Sequence, residues 1–141
     1  MTIRSALPLL KANGGSIVVI ASVNGTRIFS NSGATAYACS KAAQVAMTKM
    51  LAVEFGPAKI RINVVCPGAI KTKIAESTEA RNIEQVKIPV EFPKGSCPLT
   101  GHEPGQSEDV AELVAFLLSD AAKHITGTEL YIDGAQSLLQ G

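Results

Sequence analysis

Apolar residues recur at helical spacing through residues 3–11, yet no capping residue or turn precedes them, so this segment is expected to be a helix cut open at its start. Asn13-Gly14-Gly15 then carries the signal of a turn. Residues 16–21, Ser-Ile-Val-Val-Ile-Ala, are a largely β-branched run, which predicts a strand buried on both faces as in a parallel sheet. Residues 34–55, rich in Ala, Met, Leu and Lys, predict a helix of about six turns. It should stop at Gly56-Pro57, with Gly56 in a left-handed cap and Pro57 unable to continue the helix. Residues 59–66 return to β-branched character and end at Pro67-Gly68, completing a strand–helix–strand unit with a right-handed crossover.

Residues 71–106 follow no period and carry Pro89, Pro93, Pro98 and Pro104, a length and composition expected of a lid or substrate loop. Ser107 is placed to cap a helix whose apolar positions run over residues 110–118, with Glu108 and Asp109 favouring its positive end. A last strand at residues 128–132 precedes Asp133-Gly134. The order of elements predicts an α/β protein with three parallel strands and an unpaired edge on the first, so the sheet is expected to be unfinished.

The 141 residues suit one domain, and their 46% hydrophobic content is enough to build a core. Thirteen basic against 12 acidic residues leave a formal charge of +1, which points to a small molecule or another subunit rather than nucleic acid. No apolar run approaches the roughly 20 residues of a membrane span, and the start lacks a signal-peptide core, so a cytoplasmic protein is expected. Cys39, Cys66 and Cys97 are widely spaced with no C-x-x-C, so neither a zinc site nor a disulfide framework is expected.

Tyr37 and Lys41, four residues apart, share one face of the predicted helix. A tyrosine is almost wholly protonated at neutral pH, so using one as a base requires a nearby cation to stabilise the phenolate. Lys41 can supply that charge. Ser22 directly follows the predicted strand, and open α/β sheets bind ligands at the carboxyl ends of their strands. Each feature has an ordinary alternative: any helix offers Tyr and Lys at this spacing by chance, and Ser22 could simply begin a polar loop with Asn24 and Gly25.

Three segments in this order, Ile20-Ala-Ser22-Val-Asn-Gly25, Tyr37-Ala-Cys-Ser-Lys41 and Arg61-Ile-Asn-Val-Val-Cys-Pro67-Gly68-Ala-Ile-Lys-Thr72, resemble the short-chain dehydrogenase/reductase family. The stretch from Asp109 through Ser119-Asp120 and Ile125-Thr-Gly-Thr128 to Asp133-Gly134 is similar to that family's last helix and strand. The resemblance implies a partial Rossmann-like, doubly wound parallel sheet, with residues 1–141 as the carboxyl-terminal part of a catalytic domain and a substrate loop at about 73–106. It implies Tyr37 as acid/base, Lys41 as its support and ribose contact, and Ser22 as the group polarising a carbonyl or alcohol oxygen. Pro67, Gly68, Ile70 and Thr72 would contact an NAD or NADP cofactor, and the family often forms homo-oligomers. For Ile70 and Thr72 ordinary loop packing is the alternative.

Two departures qualify the resemblance. The interval from Ser22 to Tyr37 is slightly longer than usual, and there is no G-x-G-x-x-G turn to hold a pyrophosphate. The family's catalytic asparagine would lie before Met1. The expected activity is therefore hydride transfer between nicotinamide and a carbonyl or secondary alcohol, with little activity from this chain alone. A noncatalytic fragment that assembles with full-length relatives is the alternative. A serine hydrolase using Ser22 is disfavoured, since G-x-S-x-G is absent and the only histidines, His102 and His124, lie in a loop and beside the last strand.

Overall fold

The computed structural model describes residues 2–31, 33–76, 78, 85 and 97–140. Three strands, β1 (Gly15–Ile20), β2 (Ile60–Pro67) and β3 (Glu129–Ile132), form one sheet in the order β1-β2-β3. Both pairings are parallel, with Gly15 opposite Ile60 and Val64 opposite Glu129. Helix α1 (Thr2–Asn13) leads into β1, α2 (Thr35–Phe55) connects β1 to β2, and α3 (Ser107–Leu118) precedes β3. This is the expected α/β, partial Rossmann-like arrangement, each strand falling within a residue of its predicted bounds.

Alternation along the strands sorts their side chains onto two covered faces. Val19, Val64, Cys66 and Tyr131 pack with Val45 of α2 on one face. Val18, Val65, Leu130 and Ile132 pack with Leu113, Val114 and Leu117 of α3 on the other. Fully buried side chains such as Ile62 and Leu117 each contribute about 1.5–3 kcal/mol by leaving water. The centre of the sheet is polar at one position. Buried Asn63 donates from Nδ2 to the Ile125 carbonyl at 2.8 Å, and its Oδ1 accepts the Thr128 N–H at 3.2 Å, fixing the approach to β3. Arg61 donates to the Leu117 and Ser119 carbonyls at 2.7 and 3.0 Å, satisfying groups that the end of α3 leaves open.

Several local expectations are corrected. β2, not β1, is the strand buried on both faces; β1 is only half-buried and Ile20 is exposed, because β1 lies at the sheet edge whereas β2 has a strand on either side. Gly56 keeps a right-handed conformation, and the left-handed residue is Lys59, φ 57°. Pro57 needs no N–H in the first turn of a 3-10 helix, so the chain tightens through Gly56–Ala58 before it reverses. Ser107 is the first residue of α3 rather than its cap, and the Asp109 carboxylate accepts the Gln106 N–H at 2.7 Å. A short helix, α4 (Gln136–Gln140), follows β3 where no helix was expected. Of the expected loop at 73–106, 3-10 turns form at Lys73–Ala75 and Pro98–Thr100, while residues 77, 79–84 and 86–96 lie outside the described residues.

Candidate active site at the carboxyl end of the sheet

Ser22 leaves the end of β1 and is buried. The Ala21 N–H bonds to the Val65 carbonyl at 2.8 Å and the Val23 N–H to the Pro67 carbonyl at 3.0 Å, so Ser22 is held between two ties to β2. Its Oγ accepts the Asn24 N–H at 3.1 Å, which leaves its own proton available to donate. The loop then folds back tightly: the N–H groups of Thr26, Arg27 and Ile28 all point at the Val23 carbonyl, at 3.2, 2.9 and 3.0 Å. Gly25, at φ +97°, passes so close to α2 that a Cβ there would lie 2.3 Å from the Ala38 carbonyl oxygen. Only glycine permits that approach, and it seats the Ser22 loop on the first turn of the helix bearing Tyr37.

Lys41 joins the two elements. Its Nζ donates to the Ile20 carbonyl at 3.0 Å and stands 5.5 Å from the centre of the Tyr37 ring. Ile20 pairs in register with Val65, and the β2 tie is made by Ala21, so the Ile20 carbonyl faces the open edge of the sheet, where Lys41 takes it up. Tyr37 is 39% exposed, which leaves its ring accessible to a ligand.

At the end of β2, the Gly68 N–H bonds to the Ile132 carbonyl at 3.0 Å and the Ala69 N–H to Gln136 Oε1 at 2.7 Å. A Cβ on Gly68 would lie 2.6 Å from both Asp133 Cβ and Gln136 Oε1, so the turn packs directly against the segment after β3. Gly105 bridges the Ala69 carbonyl and the Lys71 N–H at 3.0 and 2.9 Å. In such a bridge the N–H and C=O of the intervening residue, Ile70, face away from Gly105. Thr72 Oγ1 accepts the Ile74 N–H at 3.4 Å and opens the 3-10 turn at Lys73–Ala75.

The structure thus brings Ser22, Lys41, Tyr37 and Pro67 to one end of the sheet, while Ile70 and Thr72 continue along the segment after Gly68. Thr26, which donates to the Ser22 carbonyl at 3.2 Å, and Gln136, which holds the Pro67-Gly68-Ala69 turn, were not found in the sequence. Gln136 acts across 67 residues, and no local spacing signals such a contact. A recess of about 230 Å³ lies beside this site rather than over it, lined by Asn24, Gly25, Ile28, Phe29, Ala38 and Ala42 among others. His102 and His124 are exposed. Among the described residues no cluster of His, Cys, Asp and Glu could hold a metal ion, and no helix is long and apolar enough to cross a membrane.

A family model described as enoyl-(acyl carrier protein) reductase matches residues 1–135. The chain belongs to the short-chain dehydrogenase/reductase family. Within that family it is similar to the oxidoreductase UcpA of Salmonella typhimurium, 39% identical over 138 residues that cover 96% of this chain and 51% of the relative. The crystal structure of a 3-ketoacyl-ACP reductase from Sinorhizobium meliloti 1021 is 54% identical with a TM-score of 0.90, covering 98% of this chain and 55% of that one. A 4-hydroxyisoleucine dehydrogenase solved in complex with NADH is 30% identical with a TM-score of 0.71, covering 94% of this chain and 51% of that one. The chain therefore spans about half the length of the family members it matches.

Proposed function

We propose that these residues form the proton-handling side of an NAD- or NADP-dependent oxidoreductase that interconverts a carbonyl and a secondary alcohol. The observation that carries this reading is the placement of Lys41, whose ammonium stands between the end of the Ser22 strand and the Tyr37 ring. Ser22 donates its free proton to the substrate oxygen and holds it in place. Tyr37 delivers a proton to that oxygen during reduction and receives it during oxidation. Lys41 favours the phenolate that Tyr37 becomes once its proton has left. A nicotinamide, when bound, supplies or accepts the hydride.

The residues present fit the nicotinamide end of such a cofactor. The Ile70 N–H and C=O have no partner among the described residues and suit a carboxamide, which needs one donor and one acceptor. Lys41 carries three N–H donors, one of them on Ile20, and has capacity for a ribose hydroxyl. Pro67 and Gly68 shape the turn beside them, and Thr72 contributes a hydroxyl further along. The pyrophosphate end calls for backbone N–H groups of a glycine turn at a helix start, and the sequence contains no G-x-G-x-x-G to form one. On its own the chain accordingly holds a dinucleotide weakly, and its reactions await that missing surface.

The test joins residues 1–141 to the part of the Sinorhizobium relative that the match leaves uncovered, then follows NADH and NADPH absorbance with small ketones. Turnover is expected. A joined protein that binds nucleotide yet turns over no carbonyl or alcohol contradicts the proposal. A second reading, assembly with full-length relatives, is favoured by the exposed edge of β1. It predicts a stable complex with such a relative in solution.

A further inference from the structure

A chain of polar contacts crosses the α2 face of the sheet and joins the two elements that carry the candidate catalytic groups. Arg27, in the Ser22 loop, lays its guanidinium 3.5 Å from the centre of the Tyr131 ring and donates to Ser137 Oγ at 3.4 Å. The Tyr131 hydroxyl donates to Glu129 Oε2 at 2.8 Å, and the other Glu129 oxygen pairs with Lys49 of α2. Glu129 and Tyr131 are alternate residues of β3, so both point to the face that α2 covers. The Ser22 loop therefore holds Tyr131 and the Tyr37 helix holds Glu129, two hydrogen-bonded side chains of the same strand.

We propose that Arg27 is a positioning residue for Ser22: stacked on Tyr131, it holds the loop of residues 22–28 down while the Glu129–Lys49 pair fixes the helix of Tyr37 and Lys41 to the same strand. This rests on the reading that Ser22, Tyr37 and Lys41 form the reacting set. The physical case is that a guanidinium over a tyrosine face gains from the ring's negative quadrupole, and does so more when partly desolvated. Tyr131 is half-buried, and its hydroxyl is anchored to a carboxylate, so the ring is a fixed platform. After Val23 the loop's backbone hydrogen bonds are local, returning to Ser22 and Val23, so it is seated by side-chain and packing contacts: Gly25 against Ala38, buried Ile28, Thr26 over Cys66 and Tyr131, and the Arg27 stack. Without the stack the turn keeps its shape and its Gly25 contact with α2 but loses its anchor on β3.

Cys66 reports on that seat. It is fully buried, and its thiol lies against the Ser22 backbone and the Thr26 side chain, beneath the loop. Cys97 is buried elsewhere, near Gly134, and Cys39 is exposed. The experiment is timed labelling of the native chain with a maleimide, with each cysteine followed by peptide mass, in the unmodified protein and in Arg27→Ala and Arg27→Lys. We expect Arg27→Ala to raise the Cys66 labelling rate about tenfold or more by populating a locally open loop, with Cys97 unchanged. Arg27→Lys keeps a cation but not the planar stack and should fall between. Equal acceleration at Cys66 and Cys97 would signify general destabilisation and overturn the proposal, as would no change at Cys66. In the joined protein Arg27→Ala should lower kcat with the nucleotide KM unchanged. Labelling needs no turnover, so a silent joined protein counts against the proposed function, while unchanged Cys66 labelling counts against the clamp.

Discussion

Lys41 Nζ donates to the carbonyl oxygen of Ile20, two residues before Ser22, so one side chain from α2 closes the open edge of β1 where the candidate catalytic serine begins. This contact ties the helix to the strand and aims a cation at the Tyr37 ring. Lys41→Met removes both. We expect a thermal destabilisation of about 0.5–1.5 kcal/mol, the worth of one hydrogen bond that is not deeply buried. In the joined protein nucleotide affinity and turnover should fall together, measured by fluorescence titration and steady-state kinetics.

Gly25 and Gly56 predict opposite outcomes for the same substitution. At Gly25 the backbone is left-handed and a Cβ would strike the Ala38 carbonyl, so Gly25→Ala should cost on the order of 1–3 kcal/mol and displace the Ser22 loop. At Gly56 the backbone is right-handed with nothing within 4 Å of a Cβ, so Gly56→Ala should stabilise by about 0.4–1 kcal/mol through the unfolded chain. Denaturant midpoints of the two variants check both signs.

Asn63 predicts a large effect from a residue that touches no substrate. Asn63→Ala removes two part-buried hydrogen bonds, to the Ile125 carbonyl and from the Thr128 N–H, and empties a fully buried position, at a total cost of about 1–3 kcal/mol. Chemical unfolding measures it, and a shift under about 0.5 kcal/mol would mean that water replaces both bonds.

Stability should form a plateau in pH. Burial pushes the Cys66 thiol up and raises the Tyr131 phenol, so their contribution is complete below the ordinary thiol value of about 8.5 and declines as pH rises past it. The hydrogen bond from Lys49 holds the Glu129 carboxyl below its ordinary range. That contribution is present above about pH 4.3 and disappears as pH falls through the lower folded value. Thermal midpoints between pH 3 and 10 should therefore decline at both ends, and Cys66→Ala should soften the alkaline decline.

The strands and α2 were legible because their signals are local: β-branched runs, an alanine-rich helix, and stops at Gly56-Pro57 and Pro67-Gly68. The placement of Ser22 at the end of β1, and of Tyr37 and Lys41 on one face of α2, was legible for the same reason, as short local spacings. What escaped was whatever depends on where the sheet ends. The run at 16–21 looks as buried as that at 59–66, yet only the second has a strand on either side, and sequence alone assigns no order to parallel strands. Arg27 on Tyr131 and Gln136 on the Ala69 amide were invisible because each joins residues far apart in the chain. Whether Gly56 or Lys59 takes the left-handed conformation turns on how Pro57 opens a 3-10 turn, a choice that composition does not reveal.

The chain without further residues offers a direct check on cofactor binding. Calorimetric titration with NADH and NADPH should show no binding in the micromolar range, because the sequence carries no G-x-G-x-x-G turn to hold the pyrophosphate. Micromolar affinity in a monomer would require a second dinucleotide-binding surface within these residues.

The most direct test of the account is the turnover of the joined protein carrying Tyr37→Phe, measured beside its nucleotide affinity. Only the phenolic oxygen is lost in that variant, so proton transfer should fail while the ring and Lys41 keep their places. The account predicts a loss in kcat of about a hundredfold or more, the usual scale of general acid–base catalysis, with nucleotide binding nearly unchanged. Retained turnover, or a loss of nucleotide affinity as large as that caused by Lys41→Met, would contradict it.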